Sequence, residues 1–285
     1  MSDLFDFSPQ AADFGVMGNP VSHSRSPQIH HQFGEQCGIS LNYSRIQVDP
    51  GGFEQAVSHF QAHGGAGLNI TVPFKLEAWQ LCNNHPNQLS DRARLAQSVN
   101  TLKFQSDGAV FGDNTDGIGL VRDLQNNIAL ALEHKKILII GAGGAVRGVL
   151  GPILDCDPTQ ITIANRTVEK ANRLCETFGT KVNACGLSDT SPSGYDLVIN
   201  GTSSSLQDTL PGVPDHAIHQ GTTVYDMMYA PQPTIFMKWA LDCGAQAAWD
   251  GLGMLVEQAA ESFSIWHQQS PSSTPVIESL RNRPA

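Results

Sequence analysis

A glycine-rich turn directly after a short apolar segment is the feature that most constrains this 285-residue chain. Residues 135–140, KKILII, lead straight into residues 141–145, GAGGA. An apolar run of this length that ends in glycines predicts a buried parallel strand, a tight turn and a helix. Such a turn presents backbone N–H groups and the positive end of a helix dipole, which together suit a pyrophosphate. The segment therefore predicts a dinucleotide-binding α/β unit.

The next predicted strand indicates which dinucleotide is bound. Residues 160–164, QITIA, are followed by Arg166, close to where NAD-binding proteins usually carry an acidic residue. A guanidinium at this position suits a 2′-phosphate, and Lys170 follows one helical turn later, so the sequence predicts NADP as the cofactor. The glycine motif is incomplete, because Val146 stands at the last glycine position of GxGxxG, and similar turns bind other nucleotides or none.

Composition argues against a nucleic-acid or membrane partner. The formal net charge is −10 and only 15% of residues are charged, so no basic surface is available to neutralise nucleic-acid phosphates. The first 14 residues carry three aspartates and no cationic apolar signal, and no apolar run is long enough to span a bilayer. The 6 cysteines lack CxxC spacing, which predicts reduced thiols, several of them buried. We therefore expect a cytoplasmic protein.

The histidines do not predict a metal site. His59 and His63 lie four residues apart on a predicted helix, a spacing that could hold zinc. They lack an intervening HExxH glutamate and an obvious third ligand, so a solvated helix face is the favoured interpretation. No metal is expected.

Strand and helix patterns alternate along the chain and predict two α/β domains with mostly parallel sheets. A hairpin predicted within residues 99–111 adds antiparallel strands to the first sheet. A predicted amphipathic helix at 120–132 leads to the glycine-rich turn, and a long helix predicted from 251 to about 268 returns to the first domain. The expected domains are residues 1–116 with 251–285, for the substrate, and residues 117–250, for NADP.

Four polar clusters in the first domain follow predicted strands or precede predicted helices. Ligands of open α/β sheets collect at the carboxyl ends of strands, so we expect these clusters to converge. Their hydroxyls, amides, lysine and aspartate suit a small polyhydroxylated acid. Local sequence alone favours a structural role instead, since Ser24, Ser26 and Asp116 each stand at a typical helix-cap position. The clusters are residues 19–27 (NPVSHSRSP), 69–75 (NITVPFK), 98–101 (SVNT) and 113–117 (DNTDG).

The order of motifs resembles the shikimate dehydrogenase family along nearly the whole chain. The matching segments are SHSRSP, NITVPFK, VNTL, NTDG, GAGGA, NRT, YDMMY and GLGMLVEQAA. The resemblance implies the NADP-linked, reversible reduction of 3-dehydroshikimate to shikimate, in aromatic amino acid biosynthesis. It leaves open whether the chain is a monomer or a homodimer.

The resemblance also implies roles for individual residues. Lys75 and Asp116 are the implied catalytic pair. The implied substrate-binding residues are Ser24, Ser26, Asn69, Thr71, Asn100, Asp116, Tyr229 and Gln258. The implied cofactor-binding residues are Asp91, Gly141, Ala142, Gly143, Gly144, Ala145, Asn165, Arg166, Thr167, Lys170, Met227 and Gly251.

The implied catalytic pair agrees with the chemistry of carbonyl reduction. Hydride transfer to a ketone builds negative charge on the carbonyl oxygen, and a nearby ammonium stabilises that charge and can donate a proton. An aspartate within hydrogen-bond reach favours the charged lysine and holds it in place. The sequence leaves open whether Lys75 carries the proton or acts mainly as an electrostatic stabiliser while water relays the proton.

The chain departs from the family pattern at two positions, and three alternative functions stay open. Gly201 stands where alanine is common, and Lys170 stands where arginine is frequent, which keeps the charge but loses the bidentate fork. One alternative is a quinate/shikimate dehydrogenase with broader substrate or NAD use. A methylene-tetrahydrofolate dehydrogenase would need an aromatic pterin pocket, and no aromatic cluster is evident near Lys75. A non-enzymatic NADP sensor would not need Lys75 or Asp116.

Overall fold

The computed structural model describes residues 12–84 and 87–282. Residues 1–11, on which much of the argument against a signal peptide depends, lie outside the described part of the chain. The described residues form two α/β units, each built around one sheet, as the sequence predicts.

The first sheet has 5 strands in the order β2-β1-β3-β4-β5. The strand β4 pairs antiparallel with both β3 and β5, and β4 and β5 are the predicted hairpin. The strand β1 pairs in parallel with both β2 and β3. Because parallel strands need crossovers, helices cover this part of the sheet. The strands are β1 (Ala12–Gly18), β2 (Leu41–Gln47), β3 (Gly65–Ile70), β4 (Thr101–Phe104) and β5 (Val110–Asp113). Its helices are α1 (Ser26–Cys37), α2 (Phe53–Ala62), α3 (Lys75–Asn83) and α4 (Asp91–Ala96).

The start of helix α4 is set by the serine that precedes it. The hydroxyl of Ser90 accepts a hydrogen bond from the backbone N–H of Ala93 and so caps the helix. A side-chain cap that satisfies an otherwise free backbone donor fixes the first turn at this point.

The second sheet has 6 parallel strands in the order β11-β10-β9-β6-β7-β8. The chain runs from β6 outward to β8, then crosses to β9 and runs outward in the opposite direction. This reversal is the topological switch point at which nucleotides bind in open α/β sheets. The strands are β6 (Lys136–Ile140), β7 (Gln160–Ala164), β8 (Val182–Cys185), β9 (Leu197–Asn200), β10 (Thr223–Asp226) and β11 (Ala247–Asp250). Its helices are α6 (Gly144–Leu154), α7 (Val168–Phe178) and α8 (Ile235–Asp242).

The segment between the sheets corrects one prediction. The helix expected at 120–132 begins earlier, as α5 (Asp116–Arg122), and continues as a π-helical turn at Asp123–Asn127. Ala129 then adopts a φ of +59°, a left-handed conformation that does not continue a helix. Leu132 is not helical but is buried in the core with Ile137 and Ile139 of β6. An apolar residue at helical spacing therefore marked a core position and not the end of a helix.

The long helix predicted near the end of the chain is α9 (Leu252–His267), followed by α10 (Thr274–Arg281). The apolar face of α9, which includes Val256 and Phe263, packs on Ile29 and Phe33 of α1. Burial of these side chains stabilises the return of the chain to the first sheet by about 1.5–3 kcal/mol each. The expected crossing to the first domain is therefore observed.

The cysteines, the histidine pair and the lengths of the helices bear on three smaller predictions. All 6 cysteines are free thiols, but Cys82 alone is fully buried and the others are half-buried. His59 and His63 stack on each other and are exposed, and the single metal-compatible cluster within 12–84 and 87–282 is the exposed group Glu133, His134 and Asp157. No helix in these ranges is long and apolar enough to cross a bilayer.

Candidate active site

A cleft of about 430 Å³ lies between the two sheets. Its first wall comes from the loop after β3 and from the segment before β4, with Lys75 and Ser98. Its second wall is the glycine-rich turn at residues 142–145, which follows β6. Val72 and Leu76 line the cleft and remain 62% and 53% exposed, which provides apolar contact area for a flat ring. Two sequence motifs separated by about 70 residues therefore face each other.

Lys75 and Asp116 form an ion pair beside this cleft. The Lys75 Nζ lies 2.6 Å from the Asp116 Oδ2, and the side chains are 20% and 8% exposed. Both residues occupy the first position of a helix, Lys75 in α3 and Asp116 in α5. Thr115 is the N-cap residue of α5 and makes no side-chain cap bond, so the carboxylate of Asp116 is available to Lys75. The cap role that local sequence favoured for Asp116 is therefore wrong.

Asn100 has its orientation fixed by a backbone donor. The backbone N–H of Thr115 donates to the Asn100 Oδ1 at 2.8 Å, and an N–H group can only donate. The Asn100 Nδ2 therefore points the other way and donates to the Asp116 Oδ1 at 2.8 Å and to the Gln258 Oε1 at 3.2 Å. One carboxylate oxygen of Asp116 thus contacts an amide, and the other contacts the ammonium of Lys75.

The side chain of Asn69 uses almost all of its hydrogen-bonding capacity on protein groups. Its Nδ2 lies within hydrogen-bond distance of the Asn100 carbonyl, the Thr101 hydroxyl and the Ser262 hydroxyl. Its Oδ1 accepts from the Tyr43 hydroxyl at 2.7 Å and contacts the His30 Nε2 at 3.1 Å. Thr101 belongs to the predicted polar cluster 98–101, whereas Tyr43, His30 and Ser262 were not predicted as site residues. A lone serine four residues after Gln258, on the apolar face of α9, was the available signal for Ser262.

His30 is a buried neutral ring stacked on Tyr43, with ring centroids 4.4 Å apart. Burial lowers the pKa of His30 from 6.5 to about 3, although the hydrogen bond to Asn69 opposes that shift. In the unfolded chain the imidazole takes up a proton below about pH 6.5. Because the unfolded state then binds more protons than the folded state, stability falls as the pH decreases through this interval.

We expect His30→Gln to remove this source of acid sensitivity while keeping an amide donor for Asn69. Between about pH 6.5 and 4.5, the wild type should lose up to about 1.4 kcal/mol per pH unit more than the variant. Urea unfolding at several pH values measures the difference. His31→Gln is the matched control, because the His31 side chain is 72% exposed. Parallel pH profiles for wild type and His30→Gln would contradict the expectation.

Ser24 and Ser26 lie at the start of α1. Arg25 is the N-cap residue and its side chain makes no cap bond, so the helix-cap interpretation is wrong for Ser26. The Ser24 hydroxyl accepts a hydrogen bond from the Ser26 backbone N–H at 3.3 Å, and it lies 3.2 Å from the Ser26 hydroxyl, so the two hydroxyls stand side by side. Thr71 follows β3, and its backbone N–H donates to the Met17 carbonyl.

Tyr229 extends from the loop after β10 to the first sheet's side of the molecule. The Arg25 guanidinium lies 5.9 Å from the centre of the Tyr229 ring, next to the serine pair. Burial raises the pKa of the Tyr229 hydroxyl, so it stays protonated at neutral pH. The loop is held by Asp226, whose Oδ2 accepts from the Thr234 hydroxyl at 2.7 Å and from the Ser205 hydroxyl at 2.6 Å.

The glycine-rich turn has the geometry of a phosphate cradle. Gly141 has a φ of +108°, a conformation that favours glycine. A Cβ atom built on Gly143 or Gly144 would meet no atom within 4 Å, so open space lies directly before α6. A ligand can therefore approach the backbone N–H groups of this helix start. These residues fit a dinucleotide pyrophosphate.

The other predicted cofactor residues fall into three places. Arg166 is exposed at the end of β7, Lys170 lies in the first turn of α7, and the Asn165 Nδ2 donates to the Thr167 carbonyl at 2.7 Å. Gly251 packs directly against the Met227 carbonyl, where a Cβ would overlap it. Asp91 lines a different cavity, beside Phe178, and does not line the cleft with the glycine-rich turn. The cofactor role of Asp91 stays a prediction.

Two unusual positions of the second domain contact each other. A Cβ on Gly201 would overlap the Cγ2 of Val146. Val146 fills the last glycine position of the motif, so the absence of a side chain at Gly201 accommodates it. Gly201 and the valine that interrupts the GxGxxG pattern are thus one packing solution.

We expect Gly201→Ala to lower the free energy of unfolding by about 1–3 kcal/mol, because the added methyl overpacks the site. Combining it with Val146→Ala should cost less than the sum of the single changes, since the smaller side chain makes room. Urea unfolding of the two single variants and the double variant tests this coupling. Additive losses would show that the contact does not explain the glycine.

Sequence comparisons bear on this geometry. Residues 16–102 match the family described as "Shikimate dehydrogenase substrate binding domain", and residues 123–209 match "Shikimate / quinate 5-dehydrogenase". Residues 251–281 match "Shikimate 5'-dehydrogenase C-terminal domain". The protein named shikimate dehydrogenase (NADP(+)) from Alkalilimnicola ehrlichii is 52% identical over 270 residues, which cover 94% of this chain and 98% of that protein. The chain belongs to the shikimate dehydrogenase family.

Further relatives resemble the chain in sequence and in fold. The relative of the same name from Hahella chejuensis is 50% identical over 269 residues, covering 94% of this chain and 98% of its own. The Thermus thermophilus shikimate 5-dehydrogenase, solved in complex with NADP(H) and shikimate, is 28% identical with a TM-score of 0.83, covering 95% of this chain and 98% of that chain. A 5-ketofructose reductase of Gluconobacter is 27% identical with a TM-score of 0.83, covering 96% and 99%. The fold is thus shared by enzymes named for different substrates.

Proposed function

We propose that this chain catalyses the NADP-linked, reversible reduction of 3-dehydroshikimate to shikimate in the biosynthesis of aromatic amino acids. The observation that carries the proposal is the Lys75–Asp116 pair, whose lysine lines the same cleft as the glycine-rich turn. A charged proton donor beside a dinucleotide cradle is what reduction of a ketone requires. Membership of the shikimate dehydrogenase family supplies the substrate class.

Lys75 has the position of the group that faces the reacting oxygen. When bound, NADPH supplies the hydride that reduces the ketone. The Lys75 ammonium stabilises the negative charge that develops on the oxygen and donates a proton to it. In the oxidation direction the neutral amine takes the hydroxyl proton back. Asp116, only 2.6 Å away, keeps the lysine oriented and accepts a hydrogen bond from the neighbouring substrate hydroxyl.

The substrate carboxylate and ring hydroxyls are assigned to polar groups around this pair. The paired hydroxyls of Ser24 and Ser26 donate to the carboxylate, with the Tyr229 hydroxyl nearby. Asn100 and Gln258 converge on Asp116 and contact the ring hydroxyls. Thr71 and Asn69 complete the proposed set, and Asn69 acts mainly by orienting its neighbours because its own bonding capacity is used within the protein.

The cofactor is assigned to the second wall of the cleft. The turn from Gly141 to Ala145 holds the pyrophosphate, and Val72 and Leu76 contact the nicotinamide ring. Arg166 and Lys170 bind the 2′-phosphate, and Asn165 and Thr167 shape the loop around it. Met227 and Gly251 bound the nicotinamide end of the site. The assignment favours NADP over NAD because two cations lie where an acidic residue would be needed for a free ribose hydroxyl.

The wider organisation follows from these assignments. We propose residues 1–116 with 251–285 as the substrate domain and residues 117–250 as the NADP domain. The cytoplasm is the proposed location, and either a monomer or a homodimer is compatible with the site as described.

The test is the absorbance of reduced nicotinamide with purified protein, shikimate, and NADP or NAD in parallel. Rapid reduction of NADP with shikimate supports the proposal. Equal rates with quinate or with NAD would favour the quinate/shikimate alternative, which the family description of residues 123–209 keeps in view. NADP binding without turnover of either acid would favour the sensor.

A further inference from the structure

We propose that Gly117 and Gly119 are positioning residues with separate tasks in the reaction. Gly117 sets the distance between the catalytic pair and the cofactor helix α6, and Gly119 sets the position of Gln258 on α9. The inference rests on the function proposed above. It concerns a glycine-bearing helix that the assigned roles leave unexplained.

The helix α5 is an unfavourable place for two glycines. It has 7 residues, DGIGLVR, and both glycines are buried. Glycine is among the least favourable residues in a helix interior because it loses the most backbone freedom on folding. Their presence in so short a helix therefore calls for a packing reason.

Gly117 brings α5 into backbone contact with α6. A Cβ at this position would lie 2.5 Å from the Pro152 Cγ and 2.6 Å from the Gly148 carbonyl oxygen. Next to this contact, a Cβ on Gly148 would lie 3.0 Å from the side-chain amide of Asn114, which precedes α5 and accepts a hydrogen bond from the Asp116 backbone N–H. The helix α6 begins with the glycine-rich turn, so this contact fixes the turn relative to Asp116, the residue before Gly117.

Gly119 makes the corresponding contact with α9 on another face of α5. A Cβ there would lie 2.7 Å from the Gln258 backbone nitrogen and 2.8 Å from the Met254 carbonyl oxygen. Gln258 accepts hydrogen bonds from Asn100 at 3.2 Å and from the Thr115 hydroxyl at 3.3 Å. The Gly119 contact therefore places a proposed substrate ligand against the residue that orients Asp116.

Each glycine should consequently affect one kinetic quantity. A methyl at Gly117 pushes α6 away from α5 by about 1 Å, a displacement that can reduce turnover by about 100-fold when it misaligns reacting atoms. The glycine-rich turn and Arg166 move together, so NADPH affinity should stay within about 2-fold. A methyl at Gly119 displaces Gln258, and losing a single hydrogen bond weakens shikimate binding by about 3- to 10-fold.

The experiment compares Gly117→Ala, Gly119→Ala and Gly151→Ala with the wild type. Gly151 is the matched control, because a Cβ on this α6 residue would meet ordinary contacts, 3.5 Å from the Leu95 Cδ2 and 3.9 Å from the Phe178 Cε1. Fluorescence titration with NADPH gives the affinity and counts the folded sites. Initial rates of shikimate oxidation by NADP then give kcat per folded site and the KM for shikimate. The isotope effect is measured in the reverse direction, with 3-dehydroshikimate and deuterated NADPH.

We expect Gly117→Ala to lower kcat by about 10- to 100-fold with a larger deuterium isotope effect, while both affinities are retained. Gly119→Ala should raise the KM for shikimate and leave NADPH affinity unchanged, and Gly151→Ala should match the wild type. If Gly117→Ala does not fold, Gly148→Ala strains the neighbouring contact between α6 and Asn114 more mildly, and it should show the same kcat-specific loss.

Several outcomes overturn the inference. Unchanged kcat per folded site in both Gly117→Ala and Gly148→Ala removes the role of Gly117. Unchanged shikimate KM in Gly119→Ala, or failure of that variant to fold, removes the role of Gly119. A wild type without turnover overturns the proposed function and this inference together, whereas an active wild type with no division between the variants overturns this inference alone.

Discussion

Lys75→Ala is expected to lose about 100- to 10,000-fold in kcat, the range associated with removing a general acid. Shikimate binding should change far less, because the ammonium acts mainly on the charge that appears during hydride transfer. The Lys75 Nζ is held 2.6 Å from Asp116 and lines the cleft, so no other described lysine can replace it. Steady-state rates and equilibrium binding of shikimate measure the two effects separately.

Two further variants sharpen this result. Lys136→Ala is the matched control, since Lys136 is exposed at the opposite end of β6 from the glycine-rich turn and should leave turnover unchanged. Lys75→Arg keeps the positive charge but does not readily give up a proton. We expect it to be as inactive as Lys75→Ala. Substantial activity in Lys75→Arg would instead assign Lys75 to charge stabilisation, with water as the proton carrier.

Arg166→Ala is expected to weaken NADP binding by about 10- to 100-fold, the equivalent of one or two hydrogen bonds to a charged group. NAD binding should change by less than about 2-fold, because NAD lacks the 2′-phosphate. Arg166 is exposed at the end of β7, so its removal should not unfold the domain. Titration of both cofactors, with kcat/KM for each, gives the preference directly.

Lys170→Ala provides the comparison within the same site. A lysine ammonium contacts a phosphate as a point charge, without the bidentate fork of arginine, so its loss should be smaller than that of Arg166. The loss for each variant should shrink as ionic strength rises, because exposed charges are screened. Equal losses for NADP and NAD in Arg166→Ala would remove the argument for a 2′-phosphate site.

The second sheet was largely predictable from local sequence. Its central strand, β6, is a buried apolar run that ends in glycines, and Gly141 needs the backbone freedom that its φ of +108° uses. The boundaries of β6 and β7 were predicted to within one residue because buried parallel strands are nearly uninterrupted apolar runs. The helix at 120–132 was placed wrongly, since an apolar spacing alone does not reveal where a π-helical turn and a positive φ end a helix.

The candidate site was predicted less evenly. The motifs identified the polar residues that converge, including Lys75, Asn100 and Asp116. His30, Tyr43 and Ser262 were missed because none of them belongs to the polar clusters at strand ends, and a lone polar residue within a strand or helix is ordinarily structural. Their role appears only when helix α9 is brought against β3 and β4, so that Ser262 meets Asn69 and Thr101.

The sequence by itself determined the fold class and the kind of chemistry, because apolar periodicity, glycine punctuation and the order of polar motifs are local properties of the chain. Only the tertiary structure decided which groups pair. The orientation of Asn100 depends on a backbone N–H of Thr115, and the position of Asp116 depends on α5 lying between α6 and α9. Those relations join residues that lie apart in sequence, and they are fixed by close packing in the folded chain, which no local pattern encodes.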